Sequence, residues 1–120
     1  MDILALSERA ARDNGFTVRF KDESTPERGF AVSLPGYERK LAALHPVHLG
    51  QYLVDLLPAW ADLRQGEHGD ELCLGAWLDG NTWYLDLSIV VPSESYARDL
   101  GKRYNQLAIF DLAKREVITL

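Results

Sequence analysis

A chain of 120 residues is long enough for one domain, and with 47% apolar and 26% charged residues, nine Gly and five Pro it is an ordered globule rather than a disordered or collagen-like polymer. Its longest unbroken apolar runs, residues 3–6, 41–44 and 107–110, are four residues long, far short of the roughly 18 that a membrane span needs. A net charge of −5 argues against direct nucleic-acid binding, and the lone Cys73 excludes an intrachain disulfide. With no basic segment followed by an apolar stretch at the N-terminus, a cytoplasmic setting is expected.

Asp2 is placed to cap a first helix, with Ile3, Leu6 and Ala10 at helical spacing and Asn14-Gly15 as its stop. Phe16, Val18 and Phe20 then alternate with polar residues, as do Phe30, Val32 and Leu34, so two strands follow. The polar segment 22–29 between them is long for a hairpin. Pro46 suits the first turn of a helix, and Leu49, Leu53, Leu56, Trp60 and Leu63 form one buried stripe behind it. Pro58 interrupts that stripe and predicts a kink or a second short helix. A polar link, Gln65-Gly66-Glu67-His68-Gly69-Asp70, comes next.

The clearest local signal is a hairpin over residues 72–91. Leu72, Leu74, Ala76 and Leu78 alternate on one strand; Trp83, Leu85, Leu87, Ile89 and Val91 alternate on the other. Either two-residue turn within Asp79-Gly80-Asn81 puts both sets on one face. The opposite face then carries Glu71, Cys73, Gly75 and Trp77 beside Tyr84, Asp86, Ser88 and Val90. Ser93 caps a further helix with Ala97, Leu100 and Tyr104 inward and Asn105 at its end, and residues 107–112 and 117–120 make a last strand pair. The expected architecture is a single α+β domain over residues 1–120. It has an antiparallel or mixed sheet of about six strands with three to four helices, in the order α-ββ-αα-ββ-α-ββ.

Charge is concentrated. Residues 55–86 hold seven acids (Asp55, Asp62, Glu67, Asp70, Glu71, Asp79, Asp86) against one base, Arg64, which suits a basic protein partner. Trp77 and Tyr84, if adjacent, form an aromatic platform beside Asp86. Asp62, Glu67, Asp70 and Glu71 would attract the partner, and Trp77 or Tyr84 would anchor it.

Leu74-Gly75-Ala76-Trp77, then Tyr84-Leu85-Asp86, then Asn105-Gln106 leading into Ala108-Ile109-Phe110-Asp111-Leu112 give the C-terminal part a pattern. It resembles small, functionally unassigned proteins of phages and other bacterial mobile elements, over roughly the last 50 residues. The resemblance implies a context in which acidic small proteins act on host or defence proteins, and it carries no established catalytic residue over to this chain.

Other chemistry is weaker. His45 and His48, three apart at a helix start, could face one metal with His68 or Asp70 completing the set, but no second His pair or CxxC accompanies them. Glu71 and Asp86 could pair as carboxylates, and Cys73 could be a nucleophile only beside a base. Asn105 and Gln106 are explained as a helix end and a strand start. The leading expectation is a non-enzymatic accessory protein that needs no cofactor, binds a basic protein, and could inhibit it by occluding a nucleic-acid-binding surface. The alternatives are a small metal-dependent hydrolase or nucleotide-processing enzyme using His45, His48 and carboxylates, and an oligomeric structural protein pairing through a sheet edge.

Overall fold

The computed structural model describes residues 1–120. Helix α1 (Ile3–Asp13) begins where the Asp2 carboxylate accepts the Ala5 backbone N–H at 3.0 Å and ends at Asn14, whose φ of 60° turns the chain out of the helix. Strands β1 (Gly15–Arg19), β2 (Phe30–Ser33) and β3 (Arg39–Leu41) follow, then helix α2 (Pro46–Leu63) and a 3-10 turn (Gly69–Glu71). Strands β4 (Leu72–Asp79) and β5 (Thr82–Val91), helix α3 (Glu94–Arg103) and strands β6 (Ala108–Asp111) and β7 (Glu116–Thr119) complete the chain. Ser93 caps α3 by accepting the Tyr96 N–H at 3.2 Å.

The α+β expectation holds, with three helices and one antiparallel sheet of seven strands. The sheet runs β1-β4-β5-β2-β6-β7, and β3 lies in line with β2 along the same edge of β5. β2 takes the second half of β5, pairing Phe30 with Val91, and β3 takes the first half, pairing Lys40 with Tyr84. β5 is thus the spine of the sheet.

Two details of the expected order change. The strand β3 is three residues long, too short for Arg39-Lys40-Leu41 to show an alternation that sequence could reveal. Helix α2 runs unbroken through Pro58. The backbone acceptor that proline deprives is the carbonyl of Val54, one turn earlier; Val54 and Pro58 both face solvent, so water replaces the lost bond without breaking the helix. The long segment 22–29 does not close a hairpin: β1 pairs with β4 at one side of β5, and β2 pairs with β5 on the other.

All three helices pack on one sheet face. The β4–β5 hairpin puts Leu72, Leu74, Ala76 and Leu78 opposite Ile89, Leu87, Leu85 and Trp83 on that face, as the alternation requires. One half of the core joins Leu6 and Ala10 of α1 and Leu49, Tyr52 and Leu56 of α2 to Val18, Leu74 and Leu85. The other half joins Ala97 and Leu100 of α3 to Val32, Leu72, Leu87, Ile89 and Ile109. Tyr52 is buried down to its hydroxyl, which donates to the Tyr37 carbonyl at 2.6 Å and so ties α2 to the chain leading into β3. The opposite sheet face has no helix over it.

Candidate functional site

The helix-free face is built from the residues that alternate with the core; Cys73, Gly75 and Ser88 are buried within it, and Trp77 is exposed at its end. Strand pairing sets Gly15, Trp77, Tyr84 and Lys40 in one row across β1, β4, β5 and β3. Because Trp77 and Tyr84 are directly opposed, their rings stack, with centroids 4.3 Å apart and planes 13° apart. Lys40 brings its ammonium to 5.5 Å from the centre of the Tyr84 ring, within cation–π range. Trp77 remains 44% exposed, large for a stacked aromatic side chain on a sheet.

The next row explains Gly75. It is opposed to Asp86, whose carboxylate lies across β4 on top of it; a Cβ at Gly75 would collide with Asp86 Oδ1. Ser33 Oγ donates to Asp86 Oδ2 at 2.7 Å, and no protein donor serves Oδ1. Desolvation pushes the Asp86 carboxyl above the usual carboxylate range, the Ser33 hydrogen bond opposes that shift, and Glu38 adds to it. The face therefore holds a partly desolvated carboxylate whose Oδ1 has no protein donor but is not sealed from solvent, two residues along β5 from the Trp77–Tyr84 stack.

This has a sign for stability. A carboxyl whose folded pKa lies above its unfolded value contributes stability below the unfolded pKa, and that contribution is lost as pH rises through the folded pKa. Asp86→Asn keeps an acceptor for Ser33 and removes the desolvated charge. We expect it to be more stable than the parent at pH 7 by on the order of 1 kcal/mol, with the difference shrinking toward pH 4, in urea titrations at both pH values.

The other acids lie elsewhere. Asp62 is in the last turn of α2, Glu67 in the link after it, and Asp70 and Glu71 in the 3-10 turn before β4. From Glu71 to Trp77 is six residues along the chain, roughly 20 Å at strand rise. The seven expected partner-binding residues thus form two groups: an acidic end, and the sheet-face trio Trp77, Tyr84 and Asp86. Glu71 and Asp86 are not a pair, since Gly75 rather than Glu71 opposes Asp86.

Glu71 has its own partner. Its Oε2 is 2.6 Å from His68 Nδ1, and His68 Nε2 is 3.1 Å from the Tyr96 hydroxyl. A carboxylate only accepts, so in the neutral ring Nδ1–H donates to Glu71 and Nε2 accepts from Tyr96. The order acid, imidazole, hydroxyl is that of a nucleophile relay, but desolvation first, and Glu67 and Glu71 with it, push the Tyr96 hydroxyl up from its ordinary pKa. A less acidic phenol is the opposite of an activated nucleophile, and the chain of bonds acts as a strut from the 3-10 turn to α3.

His45 and His48 do meet, at 5.3 Å between rings, as the two ends of a helix cap: His48 Nδ1 accepts the His45 backbone N–H at 3.3 Å. No three His, Cys, Asp or Glu side chains come close enough to share a metal ion. Cys73 is fully buried on the sheet, and burial pushes its thiol up to about 12, so at neutral pH it is an inert thiol. Asn105, with φ 56°, ends α3, and the Gln106 N–H closes on the Gly101 carbonyl at 2.8 Å.

Lys40 and Ser33 are the members of the sheet-face site that sequence reading did not place there; Gly75 was placed on the face but given no role. Ser33 could have been found, because it alternates with Val32 and Leu34; Lys40 lies on the strand too short to read. Comparison with family models, with curated proteins and with solved structures returned no match to this chain.

Proposed function

We propose that the protein is a non-enzymatic interaction protein that docks a basic site of another protein on the open face of its sheet. Trp77 and Tyr84 are the anchor, Asp86 is the counter-charge, and Asp62, Glu67, Asp70 and Glu71 steer the encounter. The observation that carries this reading is the stacked Trp77–Tyr84 pair, with Trp77 left exposed and Tyr84 half-buried on a face with no helix over it. Aromatic anchors beside a desolvated charge are what dominate binding energy at protein interfaces.

Two further features support a basic partner. Lys40 is the chain's own example of a basic side chain seated on this aromatic surface. Asp86 Oδ1 has no donor within the protein and desolvation disfavours the charged carboxylate, so a guanidinium or ammonium donor would stabilise that charge. The steering acids outnumber bases four to one over residues 62–71, which accelerates association with a basic surface at low salt. The C-terminal resemblance to phage and mobile-element proteins adds a host or defence protein as the target class, with inhibition by occluding its nucleic-acid-binding surface as the mechanism.

The test is capture of a stoichiometric partner on the purified protein, with washes at low and high salt. Neutralising Asp62, Glu67, Asp70 and Glu71 together is expected to slow association at least tenfold at low salt and to flatten its salt dependence, because steering acts on the on-rate. An unchanged association rate would remove the acidic end from the reading, and failure to retain any partner would sink the reading itself.

A further inference from the structure

Strand pairing leaves one end of the aromatic stack open. Across β3, β5, β4 and β1 the row reads Lys40, Tyr84, Trp77, Gly15. From β3 the Lys40 ammonium reaches the Tyr84 ring, and Tyr84 covers one face of the indole. The other face of the indole is turned toward β1, where the residue opposed to Trp77 is Gly15, so the row supplies no side chain to cover it. None can be supplied there: Gly15 has φ 151°, and a Cβ on it would meet the Ala76 carbonyl oxygen at 2.5 Å. Gly75 precedes Trp77 by two residues on β4 and lies on the same face, about 7 Å along the strand. Asp86 lays its carboxylate over Gly75, with Oδ2 held by Ser33 and Oδ1 open to solvent. Thr17, opposed to Gly75 in β1 and set between the buried Phe16 and Val18, turns its hydroxyl to the same side. An indole face, a carboxylate oxygen and a hydroxyl thus border one shallow notch over glycine backbone.

We infer that this notch is an arginine site, in which a guanidinium lies flat on the open face of Trp77 and donates N–H bonds to Asp86 Oδ1 and Thr17. The inference rests on the open sheet face being a docking surface, and it names the side chain that the surface receives. A guanidinium is planar, so it continues a stack of planar rings. Its N–H donors lie in that plane and reach an acceptor beside the indole while its flat side stays on the ring. A lysine ammonium is a compact charge that sits on the ring or bonds the carboxylate, one at a time. Methylated ammonium groups are held by rings on several sides, whereas these two rings lie nearly parallel, with planes 13° apart. A nucleotide base also extends a stack, but it would bring phosphate beside Asp86 and Glu38 in a chain of net charge −5. Lys40 does not repel the incoming charge strongly, because two rings separate them and the distance is roughly a Debye length in physiological salt.

One solvent-exposed cation–π contact with one charge-assisted hydrogen bond makes a weak site by itself. A lone arginine is therefore expected to bind with a dissociation constant on the order of millimolar, and a whole partner gains the rest of its affinity from the surrounding surface. The notch contributes choice of side chain more than strength.

The test is a nuclear magnetic resonance titration of the isotope-labelled protein with the capped tripeptides Gly-Arg-Gly and Gly-Lys-Gly at constant ionic strength. The chain has three Trp, and the indole N–H signal of Trp77 is the one missing from Trp77→Phe. The arginine peptide is expected to shift that signal saturably, and the lysine peptide to bind at least about threefold more weakly. Asp86→Asn, which keeps an acceptor for Ser33, is expected to lower the affinity for the arginine peptide about fivefold. Equal affinities for the two peptides, no shift at Trp77, or an arginine affinity unchanged in Asp86→Asn overturns the arginine site. So does a larger Trp77 shift with adenosine monophosphate than with the arginine peptide. The docking reading is decided separately, by whether Trp77→Ala still holds the captured partner as tightly as the parent.

Discussion

Leu74→Ala is expected to lower the stability of the protein by about 3 kcal/mol, the largest stability loss anticipated for a single truncation here. Leu74 is fully buried on the central strand β4, with Val18 of β1 opposite on one side and Leu87 of β5 on the other. Above it stand Leu49, Tyr52 and Leu56 of α2 and Leu6 of α1. Sheet ladders fix its neighbours on two sides, and α2 is tied down by the Tyr52 hydroxyl, so the surroundings cannot close over the missing methyls. The cavity term therefore adds to the lost transfer energy rather than being relaxed away. Urea denaturation should show a lower midpoint with an unchanged slope. Leu107→Ala, at a position 87% exposed, should move the midpoint little. A Leu74→Ala loss below about 1 kcal/mol would mean that the helix layer packs more loosely on the sheet than the structure has it.

The same alternation that buries Leu74 made much of the fold legible. A strand has a side-chain period of two, so the hairpin of β4 and β5 was fixed to one face without knowledge of its turn; the turn is Gly80-Asn81, with Asp79 paired to Thr82 and Gly80 at φ 61°. The caps at Asp2, Asn14, Ser93 and Asn105 were readable because each is a local bargain between one side chain or one φ value and the helix end beside it. What could not be read was non-local. That β1 and β2 lie on opposite sides of the hairpin depends on which strand edges remain free after β4 and β5 pair. The continuity of α2 depends on which side of the helix Pro58 and Val54 face. The site divides in the same way. The adjacency of Trp77 and Tyr84 follows from hairpin register and was foreseeable, whereas Lys40 and Ser33 reach it from separate strands. The separation of Asp62, Glu67, Asp70 and Glu71 from the aromatic pair was hidden for a related reason: closeness in sequence does not survive a strand that carries the chain some 20 Å away.

Trp77→Ala is expected to reduce affinity for the captured partner by at least tenfold while leaving stability within about 1 kcal/mol of the parent. The two halves of that expectation rest on different observations. Stability changes little because Trp77 is 44% exposed and its packing within the chain is chiefly on the Tyr84 ring, a stacked contact of about 1 kcal/mol. Affinity falls because a partner closing over the open face would bury the rest of the indole, and an aromatic buried at the centre of an interface is where binding energy concentrates. Tyr84 stacks on the indole from the neighbouring strand, so Tyr84→Ala should cost affinity mainly by releasing Trp77. A double variant should therefore be little worse than Trp77→Ala alone, a non-additivity that titration calorimetry on the purified partner would resolve. Asp86→Asn separates charge from surface: it should stabilise the free protein, yet weaken binding and reduce its salt dependence. If Trp77→Ala binds as tightly as the parent, the open face is not the docking surface. If Trp77→Ala fails but Asp86→Asn binds normally, the face recognises an apolar segment and the partner need not be basic.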